Sequence, residues 1–157
     1  AQIHDQTSAT GIGRRDGFVN RIKEKYPKIT LVDIKYANDA LKSADDIKAT
    51  MQAFPNLKGI FASNEGAAIG LAVAKKETGS KIVAIGYDSG KTQKDAINDG
   101  TLLGSITQNP VGIGKCVVES LVKATKGEKL EKIIDTGYYW YDKANMADPK
   151  VAAVLYD

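Results

Sequence analysis

The sequence is short of the residues on which most enzyme chemistry depends. Among 157 residues there is one cysteine, Cys116, and one histidine, His4. A lone cysteine makes no internal disulfide and removes zinc-ribbon and Cys-x-x-Cys redox readings together. A lone histidine beside the chain end leaves any Ser-His-Asp or Cys-His arrangement resting on that one residue, so His4 reads as structural or incidental. The clustered His and Cys that transition metals want are missing, and no metal or cofactor is expected. No apolar run approaches the ~20 residues that span a bilayer, and the first residues lack a signal peptide's apolar segment. Arginine is confined to Arg14, Arg15 and Arg21. The other cations are lysines scattered singly, so the net charge of +3 reads as a solubilising surface and not as a nucleic-acid footprint.

What is present is a globular pattern, with 43% hydrophobic and 26% charged residues in a chain long enough to bury a core. Short β-branched runs over 29–36, 57–63, 81–88, 102–107 and 132–141 predict strands. Between them Phe18, Ile22 and Tyr26 recur with a helical period, as do Ala44, Ile47, Met51 and Phe54, and again Ile113, Val117, Leu121 and Ala124. Pro27, Pro55-Asn56, Gly79 and Gly100 close these segments, and Pro110 stands where a helix begins. Cys116 falls within the last helical pattern and is expected to be a buried small hydrophobe. The repeated strand–helix–strand order predicts one α/β domain over 1–157, a three-layer sandwich with a mostly parallel sheet and helices on both faces. AQIHDQTS offers only the stub of a first strand, which suggests a chain cut from something longer.

Ligands of such sheets bind outside the carboxyl ends of the strands. The polar residues expected there are Asp5-Gln6-Thr7-Ser8, Asn38-Asp39, Ser63-Asn64-Glu65, Asp88-Ser89 and Thr107-Gln108-Asn109. They are amides, hydroxyls and carboxylates, rich in hydrogen-bonding capacity and poor in nucleophiles. GIGRRDG over 11–17 is a poor dinucleotide fingerprint, since Asp16 replaces its third glycine and no strong strand precedes it. Asn64, Asp88 and Asn109 each admit a plain reading as helix caps, and Arg14 as a surface charge. Their shared edge favours a polyhydroxylated ligand, because guanidinium and carboxylate groups offer paired donors and acceptors to vicinal hydroxyls.

Three stretches carry a family resemblance: HDQTSATGIGRRDGF, PNLKGIFASNEGAAIGLAVA, and KIVAIGYDSGKTQKDAINDGTLLGSITQNPVGIGKCVVESLVKATKGE. In order and spacing they resemble the type I periplasmic sugar-binding proteins, the group around ribose-binding protein. Those have two lobes joined by a hinge, with the sugar held between them, and the chain is similar to the C-terminal lobe. The resemblance implies Arg14, Asn64, Asp88 and Gln108 as sugar contacts. The family often places an aromatic ring shortly after the second strand, where Asn38 stands here, so either Tyr36 reaches in or the ligand is more polar than a plain aldose. It also implies a non-catalytic solute receptor of a carbohydrate ABC transporter, with a membrane permease and a missing N-terminal lobe as partners. Its location would be periplasmic or otherwise extracytoplasmic, with any signal peptide or lipid anchor on a segment before Ala1. The effector domain of a lactose-repressor-type regulator is the alternative, disfavoured by the ending TGYYWYDKANMADPKVAAVLYD. The helix at 110–126 would belong with the other lobe, leaving three outcomes open here: it docks loosely, swaps into a neighbouring chain, or exposes apolar residues such as Ile113 and Val117.

Overall fold

The computed structural model describes residues 1–156. In chain order the elements are β1 (Gln2–Ile3), α1 (Ala9–Lys25), β2 (Lys35–Tyr36), α2 (Ala40–Ala53), β3 (Gly59–Phe61) and α3 (Glu65–Thr78). They continue with β4 (Val83–Tyr87), α4 (Lys91–Asn98), β5 (Gly104–Gln108), α5 (Pro110–Thr125), β6 (Tyr138–Asp142) and α6 (Pro149–Ala152). β1 pairs with β2, and β3-β4-β5-β6 form a second ladder. A bridge between Gln2 and Ala62, with the Ser63 N–H donating to the Gln2 carbonyl at 3.0 Å, joins the two. The spatial order is therefore β2-β1-β3-β4-β5-β6, parallel throughout except for antiparallel β6. Strand order reverses between β1 and β3, and a crevice opens at such a switch point.

Local chemistry sets the helix starts. Ser8, Asp39, Asn64 and Asn109 each accept from the backbone N–H three residues on, at Gly11, Lys42, Ala67 and Gly112. This satisfies one of the donors that a helix end leaves orphaned. α3 is built of small residues, and Ala67, Ala68, Leu71, Ala72 and Ala74 are all buried. At Gly70 a Cβ would stand 2.6 Å from the Ala40 carbonyl oxygen, so only glycine lets α2 and α3 approach this closely. Ile47, Leu71, Ile82, Ile97, Leu102 and Tyr141 fill one core between α2, α3, α4 and the sheet.

The alternation of side chains along the strands gives the other sheet face to Phe61 and Tyr87. α1 covers the β1–β3 end of that face, where Phe18 stacks on Phe61 with ring centroids 5.1 Å apart. Over β4–β6 the face is thinly covered: Val83 and Trp140 are partly open and Tyr138 is 73% exposed. The α/β sandwich with a mostly parallel sheet is thus the observed fold, with its second helical layer incomplete.

Three expectations shift. The strand expected at 29–36 pairs only at Lys35–Tyr36, because it lies at the sheet edge and β1 offers two residues to pair with. The run at 132–141 becomes a strand only from Tyr138, where the ladder with Gln108 begins, and Ile133 upstream is 82% exposed. Cys116 is half-buried and not buried, because its helix meets no covering layer. α5 has no buried residue, and Val117 and Leu121 are 53% and 62% exposed. Its apolar period is helical as predicted, yet that stripe finds nothing to pack against.

Candidate functional site

The site assembles at the carboxyl edge of the parallel strands, around the β1–β3 reversal. Asp88 follows β4 and is the sole non-glycine residue with positive φ among those described, at 74°. A left-handed backbone is costly for most L-residues, although Asp tolerates it better than most. Several bonds hold it there. Its N–H donates to Ile106 O at 2.7 Å, and its carbonyl accepts from the Tyr141 hydroxyl at 2.7 Å and the Ser105 hydroxyl at 3.0 Å. Tyr141 has no exposed surface, and burial raises its phenol above the ordinary tyrosine range. The carboxylate is turned toward the strand ends, where Oδ2 accepts from the Glu65 N–H at 3.0 Å and Oδ1 from Gln108 Nε2 at 3.4 Å. The N-terminal end of α3 therefore faces an anion, the favourable sense of the helix dipole.

Arg14 reaches the same edge from α1. Its Nη1 donates to the Ser63 carbonyl at 2.7 Å, and its guanidinium lies over the Tyr87 ring, Cζ 3.7 Å from the centroid. Tyr87 immediately precedes Asp88, so a fixed planar cation and a fixed carboxylate flank the end of β4. The plain reading of Arg14 as a solvated surface charge fails.

Asn64 does two jobs. Its Oδ1 caps α3, and its Nδ2 donates to Asn38 Oδ1 at 2.5 Å, joining the ends of β2 and β3. One amide hydrogen of Asn64 and the whole amino group of Asn38 lie beyond these bonds. Tyr36 turns its hydroxyl to Arg15 Nη1 at 3.4 Å, and Arg15 pairs with Asp16 at 2.7 Å. Gln108 completes the row at the end of β5. All five candidates, Arg14, Asn38, Asn64, Asp88 and Gln108, stand at one edge. Among the described residues no cluster of His, Cys, Asp and Glu has the makings of a metal site.

Sequence reasoning missed two groups here. Tyr87 carries the guanidinium on its face, and its signal was the strand alternation that sets it opposite the core residue Ala84. His4 bonds Ser63 Oγ with both its main-chain N–H, at 2.9 Å, and its ring Nδ1, at 2.8 Å. It belongs to the edge and is not incidental. Only the β1–β3 bridge, which no local pattern announces, puts them together.

The row of polar side chains stands at the switch point of a parallel sheet, the place where open α/β folds bind their ligands. Residues 3–129 match the family model described as a periplasmic binding protein domain, and the chain belongs to that family. It is 29% identical over 121 residues to a ribose import binding protein of Bacillus subtilis, covering 77% of this chain and 39% of the relative. Against the D-allose-binding periplasmic protein of Escherichia coli, identity is 30%, with 78% of this chain and 40% of that protein covered. A solved ABC transporter solute-binding protein from Agrobacterium vitis with bound D-fucose superposes with TM-score 0.92 at 34% identity, over 99% of this chain and 54% of that one. The chain thus spans about half the length of that structure, or less for the two relatives.

Proposed function

We propose that this chain is one lobe of an extracytoplasmic solute receptor, which holds a sugar between two lobes and delivers it to an ABC-type permease without altering it. The observation that carries the reading is the Arg14–Tyr87–Asp88 group at the switch point. A planar cation and a carboxylate, both fixed by the protein before any ligand arrives, can grip adjacent hydroxyls from two sides. Asn38, Asn64 and Gln108 add neutral donors and acceptors along the row. Relatives whose names specify ribose and allose, and a neighbour holding fucose, support an aldose-sized ligand. Ser63, whose hydroxyl lies closest to the His4 imidazole, is fully buried, where a substrate cannot reach the hydroxyl, which supports binding without turnover.

The bare apolar stripe of α5 supports a second lobe as its partner, and residues 1–157 then form one domain of a two-lobe receptor. Calorimetry with D-ribose, D-allose and D-fucose against the two-lobe protein tests the reading. Arg14→Ala and Asp88→Ala are each expected to weaken binding by roughly tenfold to a hundredfold, since bonds to charged groups are worth about 1.5–3 kcal/mol. A control such as Lys23→Ala retains full affinity. Unchanged affinity in both site variants would sink the assignment, as would product formed from any of the sugars.

A further inference from the structure

We infer that His4, held as the neutral Nε2–H imidazole, is the positioning residue that fixes Ser63, and through it Arg14, at the ligand edge, and that protonating it loosens Arg14. The inference rests on the ligand-site reading above.

Ser63 has no exposed surface, and its hydroxyl has one hydrogen to give. The His4 main-chain N–H donates to Ser63 Oγ at 2.9 Å, and His4 Nδ1 lies 2.8 Å from the same oxygen. If Nδ1 carried a proton, Ser63 Oγ would accept twice and its own hydrogen would be stranded in a dry site. The satisfied arrangement has Ser63 donating to a bare Nδ1. The ring proton then sits on Nε2 and points at Thr10 Oγ1, 3.2 Å away on α1. The next link is the Ser63 carbonyl, which accepts from Arg14 Nη1 at 2.7 Å. One imidazole therefore ties β1 to β3 and to α1, and the residue it clasps holds the guanidinium.

The charged groups facing the ring are Asp5 from the loop after β1, Arg14 from α1 and Asp88 from the end of β4. Burial first, and Arg14 second, hold its pKa below the usual imidazole value, against the pull of the two carboxylates. Protonation brings a second cation to Arg14 and forces Ser63 to turn its hydroxyl away. The clasp is therefore complete above the ordinary imidazole pKa and is lost as pH falls through the lowered one.

His4 is the chain's only histidine, so its imidazole ¹⁵N signals are unambiguous. In the full chain they are expected to show the Nε2–H tautomer and a midpoint below about 6.5. Ser63→Ala should release the tautomer preference. The Arg14 side-chain N–H signal should shift with the same midpoint, and the shift should vanish in His4→Gln. An Nδ1–H tautomer, or an Arg14 signal indifferent to the His4 midpoint, overturns the inference. With D-allose as the probe, wild-type affinity in the two-lobe protein should fall about tenfold between about pH 7.5 and pH 5, while His4→Gln stays flat. A wild-type affinity as flat as that of His4→Gln also overturns it. If D-allose, D-ribose and D-fucose fail to bind at every pH while the imidazole and Arg14 signals behave as stated, the sugar reading falls and the His4–Arg14 coupling stands.

Discussion

Replacing Asp88 by glycine and by alanine separates what this residue does for the fold from what it does for a ligand. Both variants lose the carboxylate, and with it the acceptor for the Glu65 N–H and for Gln108 Nε2. They differ in the backbone. At φ 74° a Cβ in the left-handed region costs about 1–2 kcal/mol, which glycine escapes. Glycine returns about 0.5–1 kcal/mol of that through the greater freedom of its unfolded chain. The Asp88→Gly protein should therefore be more stable than Asp88→Ala by about 0.5–1 kcal/mol. The lost bond to the first turn of α3 costs both variants about 1–2 kcal/mol, so Ala sits clearly below wild type and Gly closer to it. Urea unfolding of the three proteins at neutral pH, with equal slopes, gives the ordering directly. An alanine variant equal to or more stable than the glycine variant would refute the claim that Asp88 stores backbone strain. Neither variant should bind sugar with wild-type affinity, so strain and binding would be shown to reside in one residue.

Other outcomes follow from the same geometry. The buried Tyr141 phenol titrates above its unfolded value near 10, so its contribution is complete below that pH and is lost as pH rises toward the folded value. The unfolding free energy from urea titrations should fall between about pH 10 and pH 11 by up to ~1.4 kcal/mol in the wild type, and by less in Tyr141→Phe. Tyr141→Phe at pH 7 should cost about 1 kcal/mol, because Asp88 O retains its bond from Ser105. Gly104→Ala would drive a methyl into the Trp140 indole and toward the Tyr141 carbonyl. It should lower stability by about 1–3 kcal/mol and shift the fluorescence of the single tryptophan, and an unchanged emission would count against this packing. Val117→Lys with Leu121→Lys on α5 should change the unfolding free energy of this chain by less than about 0.5 kcal/mol each, since both are exposed. A larger loss would mean that α5 is packed within the chain.

The amino-acid sequence determined a good deal here because much of the fold is local. The caps Ser8, Asp39, Asn64 and Asn109, the glycine stop at Gly79 and the helical recurrence of apolar residues act within a few positions of themselves. Helices start and end where these residues stand, and the alternation with β-branched runs already implies a parallel sheet. The edge on which Asn38, Asn64, Asp88 and Gln108 stand follows from that topology, because every parallel strand presents its carboxyl end to the same side.

Only the tertiary structure decided which apolar stripes would be buried. The pattern of α5 is as periodic as that of α2, yet α2 finds Gly70 and the alanines of α3 while α5 finds no partner, so Cys116 stays half-open. Strand length was likewise decided by partners: β2 is as long as β1 permits, and β6 begins where Gln108 offers a register. The site depends on the same kind of non-local pairing. His4 and Ser63 are 59 positions apart, and nothing near either residue encodes their meeting. The β1–β3 bridge brings them together, and hydrogen bonds satisfied only in that arrangement carry its consequence to Arg14.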